Sequence, residues 1–554
     1  MEEHACFDDF SIRVTYRLMR SKNQEHDCMG LAGEKLDQPV ELAKLLETGL
    51  HAKPFETALV SLDRQWTWQE LDQASTRLAT EYLAMGLVPG DRVASLLPND
   101  GVLLIHYLAC FKAGLTATPL NYRYQAAEID HALQVSEASL LIAHAERDQV
   151  ISDSQMVGRL ALGCLRYQGT YNESCPLEQL LRRESDCPAL PPPSSAAAAF
   201  IFFTSGSTGK PKGVTHTHET FGWILASTMA GLTLSPDDTF LPATSASHIA
   251  ASSFSFAGLA AGARVAIARS FGGDEILPLL RTTRPSLLCM LPAPLFGLVR
   301  DHNAVRDDFQ SIRRCIAGGD KICLELEREF IELTGLAIEE VYGMTETGLS
   351  SINPTHGNRI GSIGQLAPGY EASIRNDIGE EVPVDQEGQL WIRFPGNTTG
   401  YWNLPDETAE MIVDNWLDTG DLVSADSENY LWFRGRKKQI IVHDGSNICP
   451  QEVEDSLLEH HAVAAAGVIG IHDLIHGETV RAYLTLQPEV FPPTAAELIE
   501  FSRKRVGYKA PEEIVILPAM PLNVNGKVDR AALQTLAHAT VNRHVEYSEP
   551  ASTY

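Results

Sequence analysis

The chain has 554 residues, 44% of them hydrophobic and 21% charged, the make-up of an ordinary folded protein too long for one compact core. Its formal charge of −28 argues against nucleic acid as a partner, because phosphate backbones are held by clustered Lys and Arg. No apolar run approaches the roughly 20 residues of a membrane-spanning helix, and the N-terminal MEEHACFDDF carries acid where a signal peptide carries base, so a cytoplasmic location is expected.

Residues 1–37 are polar and without periodicity and read as an extension with no assigned role; a first domain is expected over 38–434. In WTWQELDQASTRLATEYLAMGL, residues Leu71, Leu78, Tyr82 and Leu83 fall at helical spacing, and GDRVASLLPND follows as strand and turn. YLACFKAGLTATPLN, from Tyr107 to Asn121, reads as a helix ending at Gly114 and passing into a strand. PALPPPSSAAAA is an extended connector, and ARVAIA, SLLCMLP and RRCIAGG, between Gly262 and Gly319, continue the alternation of strand and helix, so the fold class is α/β. The ten cysteines stand singly, which fits reduced thiols; Cys449, nearest the chemistry, reads as a small apolar filler.

From Ala196 to Val214 the chain runs AAAAFIFFTSGSTGKPKGV, an apolar strand ending in Phe202 and Phe203 and then a loop in which every residue from Thr204 to Gly213 but Pro211 is Thr, Ser, Gly or Lys. Glycines at Gly206, Gly209 and Gly213 free the backbone to turn its N–H groups inward. Thr204, Ser205, Ser207 and Thr208 add hydroxyls and Lys212 a mobile charge, so a polyphosphate is the natural guest. The P-loop pattern fails, because Thr204 stands where its first glycine belongs and Pro211 follows Gly209 and Lys210. A plain Gly/Ser surface loop uses the same residues.

Downstream, EEVYGMTETG spans Glu339 to Gly348: an aromatic in a glycine-containing turn suits stacking on a flat base, and Glu346 offers a hard oxygen for a magnesium ion. GQLWIRFPGNTTGYWNLPDET and NWLDTGDL follow, and Asp421 in a tight TGD turn suits a carboxylate that accepts both ribose hydroxyl protons. Then come YLWFRGRKKQIIVHDGSNICPQEVED, from Tyr430, and PLNVNGKVDRAAL, with Lys527 in a turn opened by Asn525 and Gly526.

TSGSTGKPKG, and with it this succession of motifs, closely resembles the adenylate-forming superfamily of acyl-CoA synthetases, luciferases and peptide-synthetase adenylation domains, over roughly Val40 to Leu533. The resemblance is strongest to an acyl-CoA synthetase, and it implies a large N-terminal α/β domain of several subdomains and a small mobile α+β domain over 435–540, followed by a tail, 541–554. Nucleotide binding then falls to Thr204, Ser205, Gly206, Ser207, Thr208, Gly209, Lys212, Glu340, Val341, Tyr342, Gly343, Asp421 and Arg436, with Tyr342 against adenine. Catalysis falls to Lys527, Thr345, Glu346 and His248, with Glu346 the magnesium ligand, and substrate contact to His248, Gly318, Gly319 and Gly343. Lys438 stands at the hinge, Gly445 beside the acceptor-thiol tunnel, Gln439 where many relatives have Asp, and Asp444 where they have the first glycine of a pair. Lys437 reads as a solvated charge.

The implied reaction is activation of a carboxylate by Mg-ATP to an acyl-adenylate and pyrophosphate, then thiol attack to give a thioester and AMP. Coenzyme A is the expected acceptor; the alternatives are a separate carrier protein, for which the tail is too short to be a domain, and a non-catalytic nucleotide-binding homologue. From Leu241 to Gly262 there is no Asp, Glu, Lys or Arg, so an α-ammonium or a second carboxylate there would lack a partner, and a neutral fatty or aryl tail is expected. Small residues at Ser245, Ala246, Ser247, Ala250, Ala251, Ser252 and Ser253 suit a roomy pocket or tight helix packing equally.

Overall fold

The computed structural model describes residues 31–168, 176–182, 190, 192–204, 211–319, 322, 324–439, 441–443, 446–473, 477–488, 490–523 and 526–545. Local chemistry fixes the ends of the early elements. Thr67 and Glu70 form a reciprocal cap, each side chain bonding the other's backbone N–H, and so start the helix Trp68–Ala84, whose Leu71, Leu78 and Tyr82 are buried. Asp100 caps Gly101–Ala113 through the Val102 N–H, and Gly114 ends it at φ 68°, where a side chain would be strained. The chain then enters the strand Thr116–Pro119.

Among the described residues the strands form four sheets. A seven-stranded sheet carries Ala198–Phe203 beside Thr116–Pro119, with Gly213–Thr217 and Gly400–Tyr401 added antiparallel at one edge. A nine-stranded sheet has a parallel centre that includes Thr239–Ala243, Leu287–Met290, Arg314–Gly318 and Ile338–Met344. The helices Gly101–Ala113, His218–Gly231 and Ile249–Ala260 are buried on nearly every face and read all round as apolar, the pattern of helices covered on both sides. Their rings converge: Phe111, Phe200, Phe221 and Phe256 meet edge to face, with Phe111 and Phe200 centroids 5.3 Å apart.

A six-stranded sheet contains Gly388–Arg393, Trp416–Ala425 and Leu431–Arg436. Leu31–Ala32, within the segment read from sequence as an extension, adds an edge strand to it opposite Ala372 and Glu371. Past Arg436 the turn Lys437–Gln439 leads into a five-stranded sheet of its own, with Val463–Asp473 and Gly477–Leu486 paired along ten or more residues. Helices Pro450–Leu458 and Ala495–Val506 cover it through Val453, Leu457 and Leu498, and Arg530 grips Glu454 with bonds of 2.6 and 2.8 Å. Among the described residues no helix is long and apolar enough to cross a membrane.

Candidate active site

The sequence motifs come together where the seven-, nine- and six-stranded sheets meet. Ala198–Phe203 and Gly213–Thr217, the strands on either side of the loop, pair antiparallel, and the Thr204 N–H bonds the Lys212 carbonyl at 3.1 Å. Ser205, Gly206, Ser207, Thr208 and Gly209 lie outside the described residues. Lys212 is described: its ammonium sits over the Tyr401 ring, 4.7 Å from the centroid.

The strand Gly213–Thr217 carries His216, which is fully buried. Its Nε2 donates to the Thr345 carbonyl at 2.8 Å, and its Nδ1 faces the Thr220 hydroxyl at 3.4 Å. A carbonyl only accepts, so the proton is on Nε2, and burial pushes the imidazole down to about 4. His216 thereby ties the TETG turn of the nine-stranded sheet to this strand pair. The adjoining Glu346 is clamped as well: Thr398 N–H bonds its carbonyl at 2.7 Å, and the Tyr401 hydroxyl donates to its Oε1 at 3.0 Å. Burial pushes the Glu346 carboxyl above its ordinary range, while its own backbone N–H, the Tyr401 hydroxyl and Arg436 pull against that.

Tyr342 was expected in a turn and lies instead in the strand Ile338–Met344, because the chain reverses only after Met344 and Gly348–Ile352 pairs back onto it. A register shift between Tyr342 and Gly343 re-aims the ring there, and a Cβ at Gly343 would stand 2.2 Å from the Gly348 carbonyl oxygen, so only glycine fits. Nor is the ring free at its tip, since the Tyr342 hydroxyl donates to Asp421 Oδ2 at 2.7 Å. Glu340 and Val341 precede it on the same strand, and Gly318 lies alongside, where a Cβ would meet the Val341 carbonyl oxygen at 2.4 Å. Gly319 follows at φ 82°.

Asp421 likewise does not end a turn. The TGD triplet is a bulge inside Trp416–Ala425: Gln389 pairs with Leu422 and Trp391 with Asp418, leaving Leu390 opposite Thr419, Gly420 and Asp421. Gly420 supplies φ 70°, and the Asp418 and Thr419 side chains accept from the Gly420 and Asp421 N–H groups. The bulge turns the Asp421 side chain inward, where it is 2% exposed. Arg436, its cross-strand neighbour, brings Nε to 3.1 Å from Oδ1, yet off the line of a hydrogen bond, so among the described residues Oδ1 is a buried acceptor with no donor. Burial pushes the carboxyl up; Arg436, the Tyr342 hydroxyl and Lys527 pull it down.

That last effect joins the two domains, because Lys527 belongs to the small one. It stands exposed beyond Gly526 at φ 79°, its N–H on Asn523 Oδ1 at 3.1 Å and its carbonyl accepting from Asn523 N–H at 2.7 Å. Lys438 is the middle residue of Lys437–Gln439, and Lys437 is half exposed, pairing with Asp377 at 3.0 Å and Gln389 at 3.1 Å. Gly445 and Asp444 lie outside the described residues. The Cys449 sulfur packs under Gly435, where a Cβ would be 2.3 Å from it, and burial pushes that thiol up.

His248 stands half-buried before the helix Ile249–Ala260, its Nε2 3.5 Å from Asn121 Nδ2. Three of the small residues after it are packing positions, Ala251, Ser252 and Ser253, which are buried with both hydroxyls on carbonyls of their own segment, while Ala250 is exposed. A cavity of about 10 Å³ beside them, lined in part by Asn99, Thr244 and Ser255, is the size of one water and too small for an acyl tail.

His216 and Tyr401 were not singled out from sequence as parts of the site; the available signals were His216 two residues after Val214 on one face of the strand and the aromatic after Gly400.

The same assembly is found in known proteins. The profile of the AMP-binding enzyme family matches residues 46–402, and that of the AMP-binding enzyme C-terminal domain matches 452–527. A feruloyl-CoA synthase of Amycolatopsis sp is 31% identical over 481 residues, covering 86% of this chain and 94% of the relative. ScoC of Streptomyces coeruleorubidus, a fatty acid–[acyl-carrier-protein] ligase, is 28% identical over 519 residues, covering 90% and 98%. The crystal structure of ATP-bound MatB from Rhodopseudomonas palustris superposes with a TM-score of 0.84 at 25% identity, covering 90% of this chain and 99% of that one. Apo MatB, at the same identity and coverage, superposes at 0.74. A match over most of the chain to the family's two profiles, and a 31% identical relative spanned almost end to end, establish that the chain belongs to the AMP-binding, adenylate-forming enzymes and is most like their acyl-CoA synthetases.

Proposed function

We propose that the junction binds ATP and a carboxylic acid, joins them as an acyl-adenylate, and passes the acyl group to a thiol. Asp421 carries this reading: a buried carboxylate with one oxygen held by Tyr342 and the other without a donor among the described residues, approached by Arg436 from its own sheet and by Lys527 from the small domain. A ribose supplies two neighbouring hydroxyl donors, which is what a half-satisfied carboxylate takes. Tyr342, Glu340, Val341 and Gly343 then flank the base, and Thr204, Lys212 and the Ser205–Gly209 loop hold the phosphates.

In the first half-reaction a carboxylate oxygen attacks the α-phosphorus, the bond to the bridging oxygen breaks, and pyrophosphate leaves. Lys527 neutralises the carboxylate and α-phosphate as they approach, and Thr345 donates to the phosphate. Glu346, buried at the phosphate end with Oε1 accepting from the Tyr401 hydroxyl, is a hard oxygen donor of the kind a magnesium ion takes, and a metal that also binds phosphates suits a single carboxylate. Such an ion would screen the phosphate charge.

In the second half-reaction a thiolate attacks the acyl carbon and AMP leaves. The higher superposition on ATP-bound than on apo MatB, 0.84 against 0.74, supports reading this domain arrangement as the one that completes the nucleotide site. A swing about Lys438 would open the second step. The Leu241–Gly262 wall, ionisable only at His248, and the likeness to a feruloyl-CoA synthase favour a neutral fatty or aryl acid and coenzyme A. The likeness to ScoC keeps a carrier protein as the second reading.

Incubating the chain with ATP, neutral acids and either coenzyme A or a phosphopantetheinylated carrier tests this. Acyl-CoA and AMP are expected; a thioester on the carrier alone would favour the second reading, and no thioester on either would refute both.

A further inference from the structure

The segment GQLWIRFPGNTTGYWNLPDET carries Tyr401, which touches both charged groups of the phosphate end. Lys212 lies over its ring face, 4.7 Å from the centroid, and its hydroxyl donates to Glu346 Oε1 at 3.0 Å. We propose that Tyr401 is a positioning residue that seats the phosphate-binding ammonium on one side and the metal-binding carboxylate on the other, keeping both available to Mg-ATP. This rests on the reading of the site as an ATP site.

The backbone around Tyr401 is held on every side. Gly400 and Tyr401 pair with Thr215 and Val214, Trp402 N–H bonds the Gly213 carbonyl at 2.7 Å, and Tyr401 N–H bonds Thr408 Oγ1 at 2.9 Å. Gly400, at φ 132°, leaves no room for a side chain, since a Cβ would stand 2.3 Å from the Thr408 methyl. The phenol therefore has one place to be. An unshielded Lys and Glu in one pocket would collapse into an ion pair that occupies the groups needed for phosphate and cation. Among the described residues Lys212 makes no such pair; the ring face attracts it less strongly and leaves its N–H donors free to turn to a phosphate. The hydroxyl meanwhile holds Glu346 Oε1 in place by its 3.0 Å hydrogen bond.

The two halves of the side chain separate by substitution. ATP binding to the full chain, without acid, is measured by calorimetry with and without Mg2+ for wild type, Tyr401→Phe and Tyr401→Leu, each checked for an unchanged melting profile. Tyr401→Phe keeps the ring, so its metal-free affinity should stay within about twofold of wild type while the strengthening brought by Mg2+ falls about tenfold. Tyr401→Leu should lose affinity in both arms. A Tyr401→Phe chain equal to wild type in both arms, or as weak as Tyr401→Leu without metal, overturns the proposal alone. A wild-type chain that binds no ATP overturns the site reading and the proposal together.

Discussion

The Tyr342 hydroxyl donates to Asp421 Oδ2 at 2.7 Å, and this bond crosses from the nine-stranded to the six-stranded sheet. Among the described residues it leaves Oδ1 without a hydrogen-bond donor, with Arg436 alongside but out of line. Replacing Asp421 by Asn removes the charge that two ribose hydroxyls would meet. ATP should bind about 10- to 100-fold more weakly, the range for a hydrogen bond to a charged group. Tyr342→Phe should cost less, about tenfold at most, since the ring remains. Nucleotide titration of both variants checks the order, and an Asp421→Asn chain with wild-type ATP affinity would remove the ribose assignment.

Lys212 is expected to act on phosphate and not on the fold, because it is partly exposed and its partner is a ring face. Lys212→Ala should raise the ATP KM about tenfold or more and leave the melting temperature within a few degrees. A large drop in melting temperature with unchanged KM would show that the cation–ring contact serves stability instead.

His216 makes the assembly sensitive to acid. Its folded pKa is depressed to about 4 from an ordinary 6.5, so its contribution is fully present above pH 6.5 and is lost as pH falls towards 4, the unfolded chain taking the proton first. Burial depresses His218 in the same direction, so the two add. Between pH 7 and 5 His216 alone should remove on the order of 2 kcal/mol. His216→Gln, which can still donate to the Thr345 carbonyl and does not titrate, should lose less over that interval. Equal acid sensitivity in the two chains, followed by thermal melts, would contradict this.

Where local pattern decides structure, the fold was legible: the capped helix Trp68–Ala84, the Gly114 stop and the strand Ala198–Phe203 all follow from spacing and turn residues. Sheet membership was not. Tyr342 and Asp421 carry glycines beside them and read as turns, yet each lies in a strand with an irregular register, Tyr342 against the returning strand Gly348–Ile352 and Asp421 against Gly388–Arg393, and spacing alone does not show such pairing. Leu31–Ala32 was hidden for a similar reason, since two residues carry no periodicity and gain their structure only from Ala372 and Glu371. The small residues after His248 left pocket and packing undecided until neighbours on both sides of the helix were known.

In the proposed mechanism Lys527 and Lys438 serve separate half-reactions. Lys527→Ala removes an electrostatic donor from adenylate formation and should cost about 3–4 kcal/mol of transition-state stabilisation there, with thioester formation from supplied acyl-adenylate largely kept. Lys438→Pro restricts φ in the turn between the domains and should slow the second step while sparing the first. Rapid-quench assays of both steps in both variants check this, and equal slowing of the two steps by Lys527→Ala would rule out the division.

Exchange of labelled pyrophosphate into ATP reads activation of a carboxylic acid at the three-sheet junction without any thiol. The wild-type chain is expected to exchange label only when an acid is present, and far faster with neutral fatty or aryl acids than with amino acids or dicarboxylates. Failure to exchange with any acid of a broad panel, or an α-amino acid as the best substrate, would contradict this.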